Sequence, residues 1–121
     1  MNGLQVKQFP VDTIEWADFE KVELRAGTIV SAEAFPEARK AAYKLTLDFG
    51  PLGIRTSSAQ ITTLYAADEL VGLQVVAVIN FPPKRIAGFQ SQCLVTGFPD
   101  SNGDVVLVMP THTVPNGAKL F

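Results

Sequence analysis

One cysteine and one histidine in 121 residues leave little material for redox, metal or nucleophilic chemistry. Cys93 has no second thiol with which to close a disulfide and no ligand at metal spacing around it. It falls in an apolar strand pattern, so it reads as a buried structural thiol. His112 has no cysteine or carboxylate at ligand spacing and reads as an ordinary loop residue. Ser57 and Ser58 have no base near them in sequence, and Asp68-Glu69 reads as a helix surface, not an acid–base pair. No glycine-rich phosphate loop is present, since Gly50-Pro51-Leu52-Gly53 is hairpin-turn chemistry. No motif calls for a cofactor or a metal. No apolar run is long enough for a membrane-spanning helix, and no basic-then-apolar leader opens the chain. A cytoplasmic protein without membrane insertion is therefore expected. There is no internal repeat, no low-complexity tract and no cationic excess: the net charge is −2 and the pI about 5.3, which argues against indiscriminate nucleic-acid binding.

What is present is apolar for so short a chain, 47% hydrophobic with mean hydropathy +0.20, and sized for one domain. The charge is uneven. Residues 1–38 hold three basic against seven acidic side chains. Residues 39–92 hold Arg39, Lys40, Lys44, Arg55, Lys84 and Arg85 against Asp48, Asp68 and Glu69. A basic middle in an acidic protein suits a local anionic ligand held by a few contacts.

The chain is organised around Asn80 to Phe98. The β-branched run Val75 to Ile79 feeds into Pro82-Pro83, which lack backbone N–H groups and end the strand. Lys84-Arg85 follow on a segment that must lie at the surface. Gly88 permits a reversal, and Cys93 restarts an apolar strand. Two buried strands thus present a short, stiff, basic loop flanked by Phe81 and Phe89, a device for binding more than for catalysis.

In chain order, residues 1–19 read as an arm and a short helix, capped at Asp12 or Thr13, whose Ile14, Trp16 and Phe19 either plug a barrel end or meet a partner. Val22 to Phe35 is a long strand with Val22, Leu24, Ala26 and Thr28 on its buried parity and a bend at Gly27. Tyr43 to Phe49 alternates, with Tyr43, Leu45, Leu47 and Phe49 on one face, and pairs through the Gly50–Gly53 turn with a strand over 54–58. Lys44 and Arg55 are expected on the outer face of that hairpin. A helix capped by Ser58, Thr62 or Thr63 ends at Gly72. Strands over 74–79, 92–97 and 105–109 complete the chain. Two strands, a third, a helix, then two more is the order of the OB fold, a five-stranded Greek-key barrel. The expectation is thus an all-β, five-stranded OB barrel over residues 20–121 with short helices.

Val22-Glu23-Leu24-Arg25-Ala26-Gly27-Thr28-Ile29, Phe35-Pro36-Glu37-Ala38-Arg39-Lys40, Tyr43-Lys44-Leu45, Leu70-Val71-Gly72 and Asn80-Phe81-Pro82-Pro83-Lys84 resemble the tRNA-binding-domain family. Together with Ser57-Ser58-Ala59-Gln60-Ile61, the Asn80 segment looks like its CsaA branch, stand-alone proteins described as export-related chaperones. The resemblance covers roughly residues 18–121. It implies an OB-fold homodimer that is not an enzyme and needs no cofactor. Its partners would be tRNA or other RNA, unfolded or export-bound polypeptides, and the export motor. The implied RNA-facing residues are Lys44, Arg55, Asn80, Lys84, Arg85 and Ser91. Gln92-Cys93 stand where the wider family has glycine and methionine, a departure that bears on tRNA affinity.

The residues leave alternatives open beside that implication. Lys84 and Arg85 either pair phosphates or are solvated loop cations. Arg25 either meets a ligand or pairs with a neighbouring carboxylate, and Asn80 either binds or holds its turn. Phe81 and Phe89 either grip bases or apolar peptide side chains, or pack beneath the loop. Val75–Ile79 and Val105–Met109 are apolar on both parities, so a face of each needs cover beyond the barrel core, which a two-fold partner would supply.

Overall fold

The computed structural model describes residues 10–121, so the expected arm lies almost wholly outside the described residues. The elements are α1 (Trp16–Glu20), β1 (Leu24–Ala34), β2 (Tyr43–Asp48), a 3-10 turn (Gly50–Leu52), β3 (Ile54–Ala59), α2 (Ala67–Leu70) and β4 (Gln74–Val78). They continue with β5 (Lys84–Ile86), β6 (Phe89–Ser91), β7 (Leu94–Val95), β8 (Gly97–Pro99) and β9 (Val105–Leu107). Five strands form one antiparallel sheet in the order β3-β2-β1-β4-β7, which curls into a nearly closed barrel of the OB type. Two small hairpins, β5–β6 and β8–β9, stand outside it.

Alternation in β2 places the core. Leu45, Leu47 and the adjoining Phe49 are fully buried, together with Ile29, Leu70 and Val75. Each such side chain taken from water contributes about 1.5–3 kcal/mol. β1 differs from expectation. Its interior parity is Gly27 and Ile29, and the register shift that changes faces lies between Ile29 and Ser31, not at Gly27. Gly27 serves a different need, because a Cβ there would lie 2.5 Å from Cε1 of Phe49. The strand crosses that ring at a distance no other residue allows, and sequence parity carries no trace of the ring.

Both helices are single turns. α1 begins at Trp16 with Glu15 as its cap, and the Glu15 N–H donates to Asp18 Oδ2 (2.9 Å). The expected caps at Asp12 or Thr13 lie outside it. Ile14 and Trp16 are 65% and 69% exposed and so do not plug the barrel. α2 is capped at Ala66, whose N–H donates to Glu69 Oε1 (2.8 Å), while Ser58 belongs to β3 and Thr62 and Thr63 precede the turn. Gly72 ends it with φ 95° as expected.

The argument for a partner from Val75–Ile79 does not hold. Val75, Ala77 and Ile79 enter the core, and Val76 and Val78 are already covered within the chain, at 7% and 6% exposure. The exposed apolar surface lies elsewhere. On the β8–β9 hairpin Phe98 stands opposite Val106, at 68% and 39% exposure. That last strand ends at Leu107, short of the expected Met109.

The irregular C-terminal segment is held by side chains and by β1. Gln74 donates to Val114 O (2.7 Å) and accepts from Val114 N–H (3.0 Å), and the Thr28 hydroxyl donates to Asn116 Oδ1 (2.8 Å). Residues 117–120 then bond to the edge of β1 that β2 leaves free: Gly117 N–H to Ala26 O (2.7 Å), Ala26 N–H to Ala118 O (3.0 Å) and Leu120 N–H to Leu24 O (2.8 Å).

Candidate binding site on the basic hairpin

The stretch expected as a loop after Pro82-Pro83 is a two-stranded hairpin, β5 paired with β6 in the register Lys84–Ser91, Arg85–Gln90, Ile86–Phe89. Its two-residue turn has φ 47° at Ala87 and φ 81° at Gly88. Two consecutive positive φ values suit the twist of a tight hairpin. Glycine adopts that region freely, whereas Ala87 is strained there by roughly 1 kcal/mol.

The hairpin is a wall between two concavities. On one side is a cleft of about 730 Å³ shared with the loop over 36–42, carrying Arg39, Lys40, Lys84 and Arg85 against the single carboxylate of Glu37. On the other is a cavity of about 480 Å³ lined mainly by apolar side chains, among them Ile61, Phe81, Ile86, Leu94, Val95 and Val105. Ser58, Gln60, Lys84 and Ile86 border both. Four cations around an open cleft suit phosphate groups; the cavity suits apolar side chains.

Lys84 and Arg85 are exposed, and among the described residues Arg85 Nη1 donates only to the turn carbonyl of Gly88 (3.2 Å). Ser91 Oγ accepts from Ser58 N–H (3.0 Å), tying the hairpin to β3. Lys44 lies on the outer face of β2 as expected, but its Nζ is 4.8 Å from the Phe35 ring centre and 5.5 Å from that of Phe89. The two rings meet edge to face at 5.4 Å. Lys44 therefore braces the hairpin against the sheet through cation–π contact. Arg55 is not on that outer face. It sits opposite Leu47 on the interior side, its Nη1 reaching Ile79 O (3.4 Å), and its buried Nε has no partner among the described residues. Asn80 is engaged by backbone: Oδ1 accepts from Glu23 N–H (3.0 Å) and Nδ2 donates to Lys21 O (2.7 Å). Of the aromatics, Phe81 is 56% exposed at the cavity rim, whereas Phe89 is packed beneath the hairpin.

Several residues had no reading as site residues. Arg39 and Lys40 complete the cleft, and their adjacency in a charged loop was the available signal. Gln92 stands out in sequence only as a departure from the wider family, with nothing to tie it to β3. Its N–H donates to Thr56 O (2.7 Å), and its side-chain Oε1 accepts from Thr56 N–H (3.0 Å) and Thr56 Oγ1 (3.1 Å). Gln92 thus clasps β3 where a strand would otherwise pair. Arg25 pairs with Glu23 two residues away, not across strands, and Lys119 Nζ joins the same carboxylate at 3.1 Å. Burial pushes the Cys93 thiol up to about 11, so it stays neutral, in keeping with a structural role. Ser57 is buried, with its hydroxyl donating to Cys93 O (2.9 Å).

A nearly closed OB-type barrel that displays a basic cleft beside β2 and β3 is the architecture of a nucleic-acid-binding module. A family model described as "Putative tRNA binding domain" matches residues 24–119, and the chain belongs to that tRNA-binding-domain family. Two solved structures share the fold over their full length. The chaperone CsaA of Bacillus anthracis is 50% identical with a TM-score of 0.86, covering 91% of this chain and 100% of its own. The CsaA chaperone protein of Picrophilus torridus is 44% identical with a TM-score of 0.83, covering 90% and 100%. Methionine–tRNA ligase of Porphyromonas gingivalis is 34% identical over 90% of this chain, which spans 16% of that enzyme's length. Among the described residues, no helix is long and apolar enough to cross a membrane.

Proposed function

We propose that this chain is a CsaA-like, non-enzymatic dimer of the cytoplasm that holds unfolded, export-bound polypeptides and carries RNA on the opposite side of the same hairpin. The supporting observation is the pairing of concavities across one thin wall, cationic on one side and apolar on the other. Lys84 and Arg85, with Arg39 and Lys40, meet phosphates. Phe81 grips apolar side chains at the cavity rim, and Phe89 backs the wall from beneath. Lys44, Arg55, Asn80 and Ser91 position the wall. The likeness to two chaperones over their whole length favours polypeptide clients, whose hand-over to the export motor would follow release. Dimerisation would cover apolar surface left open on α1 and on the β8–β9 hairpin, where Ile14, Trp16, Phe98 and Val106 are exposed.

The test measures aggregation of a chemically unfolded client with and without the protein, beside the RNA and polypeptides that co-purify with it. Suppressed aggregation and co-purified polypeptide are expected. Unchanged aggregation together with salt-sensitive RNA binding would instead leave a stand-alone tRNA-binding protein acting in trans, the reading that the four-cation cleft favours by itself. Light scattering that returned a monomer at micromolar concentration would remove the dimer.

A further inference from the structure

We propose that the two concavities answer to one another through Lys84. A phosphate held in the cationic cleft weakens the apolar cavity's hold on a polypeptide, and a bound polypeptide weakens the phosphate to the same degree. The inference rests on the reading above and adds its regulation. The concavities meet along a sill of four residues, Ser58 and Gln60 on one side and Lys84 and Ile86 of β5 on the other. Among the described residues that line the cavity, Lys84 alone is charged, and it is also one of the cleft's four cations. Arg39, Lys40 and Arg85 border the cleft without reaching the cavity.

The main chain of Lys84 is fixed and its side chain is free. Lys84 pairs with Ser91 in the β5–β6 ladder, and Ser91 Oγ accepts from Ser58 N–H (3.0 Å), which ties this part of the hairpin to β3. The Lys84 side chain is exposed and has no carboxylate partner among the described residues. Arg85 differs in two ways. Strand alternation turns it to the other face of the hairpin, and its Nη1 is occupied by Gly88 O (3.2 Å). Ile86 shares the sill but offers nothing to an anion. Lys84 is thus the one part of the sill that a phosphate can move.

A lysine has two ends with opposite needs: an apolar stem that covers apolar surface and an ammonium that seeks water or an anion. With the ammonium in water, the stem extends the apolar lining at the cavity's rim. A phosphate in the cleft draws the ammonium toward itself, the stem follows, and the rim loses cover. A client side chain then buries less apolar surface, and its affinity falls with the area lost. In the other direction, a client packed on the stem holds the ammonium back and leaves the phosphate one cation short. Linkage makes the two effects equal. RNA arriving in the cleft therefore favours release of the client.

The probes are an uncharged, end-capped fluorescent peptide of alternating valine and serine, and inorganic tripolyphosphate, which is small enough to stay within the cleft. The peptide Kd is measured without tripolyphosphate and at a saturating level fixed by each protein's own titration, with sodium chloride keeping the ionic strength equal. Saturation is expected to raise the peptide Kd about fivefold, at the low end of ordinary coupling between sites, and saturating peptide to raise the tripolyphosphate Kd by the same factor. Arg85→Ala should weaken tripolyphosphate yet keep the factor, whereas Lys84→Met, which keeps an apolar stem without the charge, should bring it to one. A factor of one or less in the wild type would overturn the coupling and leave both binding sites in place. An equal factor in wild type and Lys84→Met, or its loss in Arg85→Ala, would overturn Lys84 as its carrier. A Lys84→Met protein that no longer takes tripolyphosphate would overturn the four-cation cleft and the coupling with it. Failure of the wild type to bind the peptide or tripolyphosphate at all would instead remove the reading on which the proposal rests.

Discussion

Two strand edges of the barrel, those of β1 and β3, are treated differently. The spare edge of β1 is sealed by residues 117–120 in a backbone ladder, with Glu23, Arg25 and Lys119 pinning the strap in place. The edge of β3 is fastened by one backbone bond, Gln92 N–H to Thr56 O, and by the side chains of Ser91 and Gln92, beside an apolar cavity. A backbone ladder closes an edge to any other strand. These few contacts close only what they touch, and they bring the hairpin that carries Lys84 and Arg85 to the cavity. Stability accordingly belongs to one side of the molecule and binding to the other.

That division is broken most directly from within the sealed half. Phe49→Ala removes a fully buried ring against which Gly27 packs, and should lower stability by about 3–5 kcal/mol in chemical denaturation. Gly27→Ala should lose about 1–3 kcal/mol by overpacking the same contact. Both should lose binding only in proportion to the fraction unfolded. Binding lost from a folded Gly27→Ala protein would show that the two halves are not separable.

The converse experiment acts on the wall. Lys84→Ala combined with Arg85→Ala should move the thermal midpoint by no more than about 3–6 °C, since substitutions at exposed positions seldom exceed 0.5 kcal/mol each. Single-stranded RNA should bind more weakly, with the slope of log affinity against log salt reduced by roughly 0.7 for each phosphate contact removed. An unchanged slope would remove phosphate contact by these two residues. A smaller effect of opposite sign is expected at the hairpin tip. Ala87→Asn places Asn-Gly in the turn, the pair best suited to two positive φ values, and should raise stability by about 0.5–1 kcal/mol. Loss of stability would mean that the turn is not of this type.

The sealed half was the more legible one in sequence. Period-two alternation in residues 43–49 gives the core face of β2, and strand order with one intervening helix gives the barrel. Signals that depend on a distant neighbour failed. Arg55 lies on the parity of Leu47 and Ser57, yet its charge suggested the outer face; its reach to Ile79 O at the barrel end reconciles the two. Asn80 looked available for a ligand because its partners, Lys21 and Glu23, are almost sixty residues away in sequence. Val75–Ile79 looked in need of a partner subunit because cover from within the chain leaves no periodic mark. The fastening of the hairpin to β3 was illegible for the same reason. Gln92 departs from the wider family's pattern, but its partner Thr56 is invisible until β3 is placed opposite it.

The weakest expected effect concerns the strap on β1. The Arg25 guanidinium, then Lys119, holds the Glu23 carboxyl below its ordinary range. A carboxyl depressed in the folded state contributes stability above its unfolded pKa and loses it as pH falls through the folded value. Glu23→Gln keeps the shape and removes the charge, so the wild type should be slightly the more stable near neutral pH. The difference should close on acidification below the ordinary glutamate range of about 4.3. It should also shrink with added salt, because these groups stand near solvent and are screened. Denaturation midpoints of the two proteins across that range measure it, with all other titrating groups common to both. Amide exchange at Leu120 supplies the local readout, since its N–H bonds to Leu24 O beside the pair and should exchange faster in the variant. A wild-type advantage that widened in acid would mean that the strap is held by its backbone ladder alone and that the Glu23 cluster has no part in sealing the edge.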